Sequence, residues 1–110
     1  MQRRPRQHNE KHLEFIRACP CVMCLDNTST EAAHLRMADE RADKRMVGIG
    51  EKPDDCWTLP LCGACHRRQH EIDEKQFWDF GEKDPVFLCL ALWRVSGDVE
   101  AGERIVRAAQ

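Results

Sequence analysis

The chain of 110 residues has no uninterrupted apolar run long enough to span a bilayer. Its longest candidate, PVFLCLALW, is only of strand or buried-helix length. An apolar opening segment is missing as well: the chain begins MQRRPR, so a secretory leader is not expected. There is also no excess of positive charge. The formal net charge is −2, which gives no global attraction to a polyanion. No internal repeat stands out beyond two CxxC units. At this length one domain is expected, with a core too small to make a structural metal redundant.

Cysteine is plentiful, with seven in the chain. The odd count and the lack of a leader favour thiol ligands in a reducing cytoplasm over a disulfide scaffold. CPCVMC carries Cys21 and Cys24, and LPLCGAC carries Cys62 and Cys65. Two intervening residues let both thiolates of a pair reach one ion from a tight turn. Each pair is half of a tetrahedral site, and together they make a closed structural Zn2+ site clasping two distant segments. Cys19 could replace Cys21, at a poorer spacing to Cys24. Cys56 and Cys89 read as small buried hydrophobes.

LCGACHRRQH also carries His66 and His70, four apart and so on one face of a helix. Adjacent helical residues point about 100 degrees apart, so Cys65 can face the zinc while His66 faces elsewhere. Two imidazoles at this spacing can hold a second divalent ion with positions open for water and substrate; otherwise they are part of a solvated basic face. His34, in EAAHLR, is either a packed core histidine or a base able to deprotonate water near neutral pH. Positive charge is concentrated locally in MQRRPR, in Arg36, Arg41, Lys44 and Arg45, and in Arg67 and Arg68.

Residues 1–12 read as a flexible basic tail. HLEFIRA could be a helical turn or a strand, since neither period wins. MADERADKRM favours helix, VGIGEKPDD a loop, and WTLPLC an irregular strand. A helix is expected from Ala64 through Phe80 with Gly81 as its stop, followed by a buried segment at VFLCLALWRV and, over the last dozen residues, a short amphipathic helix or a frayed tail. Trp57, Trp78 and Trp93 read as core residues rather than stacking platforms.

Taken together, CxxC, then AAHLR, then WTLPLCGACHRRQH resemble the HNH endonucleases, and KPDDCWTLPLCGACHRRQH resembles small phage and prophage proteins of that kind. The likeness runs from Cys21 to His70. It implies an α+β fold: a ββα-metal core at 13–80, clasped by the four-cysteine zinc site, with a C-terminal helical extension at 81–110. It also implies that His34 is the general base and that His66 and His70 bind a catalytic divalent ion, which could be Mg2+, Mn2+, Ni2+ or Zn2+. It implies DNA as substrate, held mainly by its phosphate backbone. Where that family carries an acidic residue or histidine just before the base, this chain has Ala33, and near the place of the family's asparagine it has Trp57. Asp54, Asp55 or Glu31 could then supply the missing carboxylate, and His34 could serve as a ligand instead. Asp55 is the candidate to orient His34. Arg36 could stabilise transition-state oxygens, with Arg67 and Arg68 on flanking phosphates. The competing expectations are a catalytically inactive zinc-stabilised DNA-binding module and a protein adaptor. A homodimer or a phage or host DNA-processing partner fits any of these.

Overall fold

The computed structural model of the protein describes residues 6–45 and 52–110. The order of elements is α1 (Glu10–Ala18), β1 (Thr30–His34), β2 (Thr58–Cys62), α2 (Gly63–Glu71), α3 (Glu74–Phe80), α4 (Pro85–Arg94) and α5 (Val99–Ala108). β1 and β2 form a two-stranded antiparallel sheet in which Thr30 faces Cys62 and His34 faces Thr58. This is the α+β architecture, with its helical C-terminal part, that the sequence led us to expect.

Four of the five helices begin where the sequence supplies a side-chain cap, α2 following directly from β2 without one. Asn9 accepts the His12 amide at the start of α1, Asp73 caps α3, Asp84 caps α4 just ahead of Pro85, and Asp98 caps α5. The cap at Asn9 resolves the ambiguity of HLEFIRA. It starts a helix whose Leu13, Phe15 and Ile16 turn inward, and so α1 begins inside the stretch expected to be tail. The long helix expected from Ala64 to Phe80 is two helices, because the chain is extended at Ile72 and the carboxylate of Asp73 starts a new turn. Among the described residues of MADERADKRM the helical part is a three-residue 3-10 turn, Glu40–Ala42, since Asp39 binds the Arg41 amide and Asp43 adopts a positive φ of 53°. Positions 46–51, which include most of the expected glycine loop, lie outside the described residues.

Pro60 sits inside β2 opposite Ala32. Its carbonyl accepts the Val22 amide of the cysteine turn at 2.9 Å, so its backbone faces away from β1 and the missing N–H costs the ladder nothing. β2 is buried at every position, with α1, α2 and α4 all packed against it. The core joins Phe15 and Ile16 of α1, Leu59 and Leu61 of β2, Phe77 and Trp78 of α3, Leu92 of α4 and Val106 of α5. Among the tryptophans Trp78 is core, whereas Trp57 is only partly covered and Trp93 is exposed along one side. No helix among the described residues is long and apolar enough to cross a membrane.

α5 lies close to α1 at Gly102, where a Cβ would come within 2.7 Å of the Cys19 Sγ and 2.9 Å of the Phe15 ring. The missing side chain is therefore what lets the last helix close the core. Gly102→Leu is expected to lower unfolding free energy by about 2–3 kcal/mol in urea denaturation, through overpacking.

Candidate functional site

The metal centre is built at one end of the sheet. The turn after α1 presents Cys21 and Cys24, β2 ends on Cys62, and the first turn of α2 presents Cys65. The four Sγ atoms all lie within 4.8 Å of one another, with Cys24 and Cys62 3.7 Å apart. Thiolates on a tetrahedral zinc, at about 2.3 Å each, would stand about 3.8 Å apart, so the donor set fits that ion. The thiols compete for protons: backbone and thiol hydrogen bonds hold Cys62 below its ordinary value, whereas burial and the neighbouring sulfurs push Cys65 up. A divalent cation would relieve this competition by replacing the protons. Cys19 is not one of the four; its thiol is buried and directed at the Phe15 carbonyl. Cys89 is buried against the Thr58 carbonyl, and Cys56 is partly exposed.

At the other end of β1, His34 meets Asp55. The His34 Nε2 is 2.9 Å from the Asp55 Oδ1, and the aspartate side chain is fully buried while His34 retains 24% exposure. Anchoring Nε2 leaves Nδ1 as the proton-accepting atom of the ring. Burial lowers the His34 pKa from its ordinary value, and the hydrogen bond and charge of Asp55 pull it back only in part. Burial acts to raise the Asp55 carboxyl, but hydrogen bonds from His34, Asn9 and Arg6, with the Arg6 charge, outweigh it and hold the pKa at about 2.

Apart from His34, those donors come from residues 6–9, the part of the expected tail that precedes α1. The Arg6 guanidinium reaches Asp55 Oδ1 and the Pro53 carbonyl, the Asn9 amide reaches Asp55 Oδ2 at 2.7 Å, and the His8 Nδ1 reaches the same oxygen at 2.8 Å. The Gln7 amide donates to the Asp54 carboxylate and the Asp55 amide donates to the Gln7 carbonyl, completing the strap. Sequence reasoning missed Arg6, His8 and Asn9. A signal that pointed their way was the cap at Asn9, which starts α1 and sets the direction in which residues 6–8 leave the helix.

His66 and His70 do share a helix face, with ring centroids 4.9 Å apart, and the His66 Nδ1 bonds Glu31 Oε1 at 2.7 Å. Glu31 and His34 are three apart on one strand, however, so the pleat turns them to opposite faces of the sheet. The two histidine clusters are thus on different sides of β1. Among the described residues the four cysteines are the one group of three or more potential ligands close enough to share an ion. His66 and His70, the donors expected for a second ion, stand side by side, and among the described residues they are not part of a closer group of three or more such ligands.

The basic surface is also redistributed. Arg67 and Arg68 are exposed on α2, and the Arg36 amide is tied to Glu74. Arg41 is engaged by Asp39 and Asp84, and Lys44 is buried over the Trp57 ring, where desolvation lowers its pKa.

The cysteine centre predicts one equivalent of zinc in the purified protein by elemental analysis. Cys62→Ser should remove most of that zinc and lower the melting temperature by many degrees, whereas Cys89→Ser should leave the zinc content unchanged.

No curated protein and no solved structure matches this chain. A family described as "Protein of unknown function (DUF968)" matches residues 1–88, which take in the strap, the four cysteines and both histidine clusters, and the chain belongs to that family.

Proposed function

We propose that the protein is an endonuclease hydrolysing DNA phosphodiester bonds, built on the ββα plan of the HNH enzymes that its sequence resembles. The observation that carries this reading is the His34–Asp55 pair at the end of β1: a half-buried imidazole, anchored through Nε2 by a buried carboxylate. The order of elements agrees with it, since β2 runs directly into the helix carrying His66 and His70. His34 accepts a proton from the attacking water at Nδ1, and Asp55 fixes the ring and stabilises its charged form. Arg67 and Arg68 are free of the core and available to flanking phosphates. His66 and His70, side by side on α2, would be the donors to a second ion, and no step is routed through it.

A second reading, a zinc-clasped protein adaptor, has its own support. Phe87, Leu90 and Trp93 follow one another at three-residue spacing along α4, and they are 53%, 37% and 42% exposed. This reading predicts neither DNA binding nor cleavage. An inactive DNA-binding module would retain DNA without cutting it.

Supercoiled plasmid should be nicked or cut by the intact protein in a series covering Mg2+, Mn2+, Ni2+, Zn2+ and EDTA. His34→Ala is expected to lower the rate by about 10²–10⁴-fold with the zinc content and fold unchanged. A DNA cut at the wild-type rate by this variant would remove His34 from the reaction. The pH profile has a defined sign. His34 works neutral and its pKa is depressed, so kcat/KM should be full above the ordinary histidine value of about 6.5 and fall as pH drops through the lowered pKa. Asp55→Asn removes a contribution that raises this pKa, so it should move the acid limb to lower pH while reducing the plateau.

A further inference from the structure

The strap at residues 6–9 places a second imidazole at the candidate site. His8 and His34 bond different oxygens of the Asp55 carboxylate, at 2.8 and 2.9 Å. Their separation is therefore bounded by the width of one carboxylate plus two hydrogen bonds. Both reach solvent, with His8 57% and His34 24% exposed, while the aspartate between them is fully buried. His8 uses Nδ1 on Asp55 and His34 uses Nε2, which leaves the His34 Nδ1 and the His8 Nε2, the latter 3.9 Å from the exposed Glu10 Oε2, as the remaining ring nitrogens. Arg6 binds the same carboxylate, and Arg6 and Lys52 both act electrostatically on His34. Two imidazoles and one guanidinium thus surround one buried anion.

Cleavage of a phosphodiester needs help at both ends of the reaction. The incoming water must lose a proton, and the departing sugar oxygen, a poor leaving group, must gain one. We infer that His8 is the leaving-group acid of this site and the counterpart of His34 across Asp55, an inference that rests on the phosphodiesterase reading above. The substrate class is a nucleic-acid phosphodiester with an alkoxide leaving group. Water attacks phosphorus as its proton passes to the His34 Nδ1, forming the new P–O bond. The P–O bond to the 3′ sugar oxygen breaks as the His8 Nε2 proton passes to that oxygen. The products are a 5′-phosphate and a 3′-hydroxyl, and the two histidines return to their starting states by exchange with solvent. Arg6, held on one edge by Asp55 and the Pro53 carbonyl, lies beside this path as a phosphate contact.

The alternative role for His8 is to brace Asp55, and leaving-group dependence separates the two. Plasmid DNA leaves as an alkoxide and needs an acid; bis(p-nitrophenyl) phosphate leaves as a stabilised phenolate and does not. With the intact protein, His8→Gln and His8→Ala should each lower plasmid cleavage by about 10²-fold or more, and the loss on the aryl ester should be smaller by at least about 30-fold. His34→Ala should impair both substrates alike. Equal losses on the two substrates in the His8 variants would make His8 a positioning residue and overturn the inference, as would wild-type rates on both. In those two cases the phosphodiesterase reading stands. If the unaltered protein cleaves neither substrate, that reading fails first and this one fails with it.

Discussion

Four sulfur atoms at one end of a short hairpin impose the constraint on which the remaining geometry depends. Cys62 ends β2, Cys65 opens α2, and Cys21 and Cys24 lie in the turn that hydrogen-bonds the outer edge of β2 through Val22. Gathering the four thiols fixes the exit angle of α2, and hence the direction in which His66 and His70 are carried, and it holds the turn that joins α1 to β1. A two-stranded sheet is marginal by itself, and the long connection between β1 and β2 makes its closure entropically unfavourable. A metal bound at the sulfurs would stabilise the folded chain because the unfolded chain offers no comparable site.

The opposite end of the hairpin is organised by a different anion. Asp55 is buried without cost in unsatisfied charge because Arg6, His8, Asn9 and His34 all direct donors at it. One carboxylate ties the segment before α1, the end of β1 and the loop before β2 into a single unit. The same bonds that stabilise this corner orient the imidazoles, so structural and chemical roles meet at one group. A buried carboxylate in this position keeps its charge well into acid, since its pKa is held at about 2.

The two ends differ in how readily they could be recognised beforehand. The sulfur site was legible because CxxC carries its geometry with it: each pair needs only a tight turn, and only one further pair exists to complete it. The pairing of His34 with Asp55 was legible as one of three options for a nearby carboxylate. Which partner His66 meets was not legible, because spacing along a helix says nothing about which face of a neighbouring strand it packs on. Glu31, on the other side of the pleat from His34, is the residue that His66 meets.

The amino-acid sequence by itself determined the local units: caps at Asn9, Asp73, Asp84 and Asp98, a strand that tolerates Pro60, and two cysteine turns with one ion's worth of ligands. These follow from hydrogen-bond groups and dihedral preferences within a few residues. Tertiary structure alone decided that residues 6–9 lie against Asp55, that Lys44 is buried, and that the two histidine clusters are separated by the sheet. Those outcomes depend on contacts between separate segments, such as Lys44 with Trp57, Glu31 with His66 and Asn9 with Asp55, and no local period or spacing encodes them.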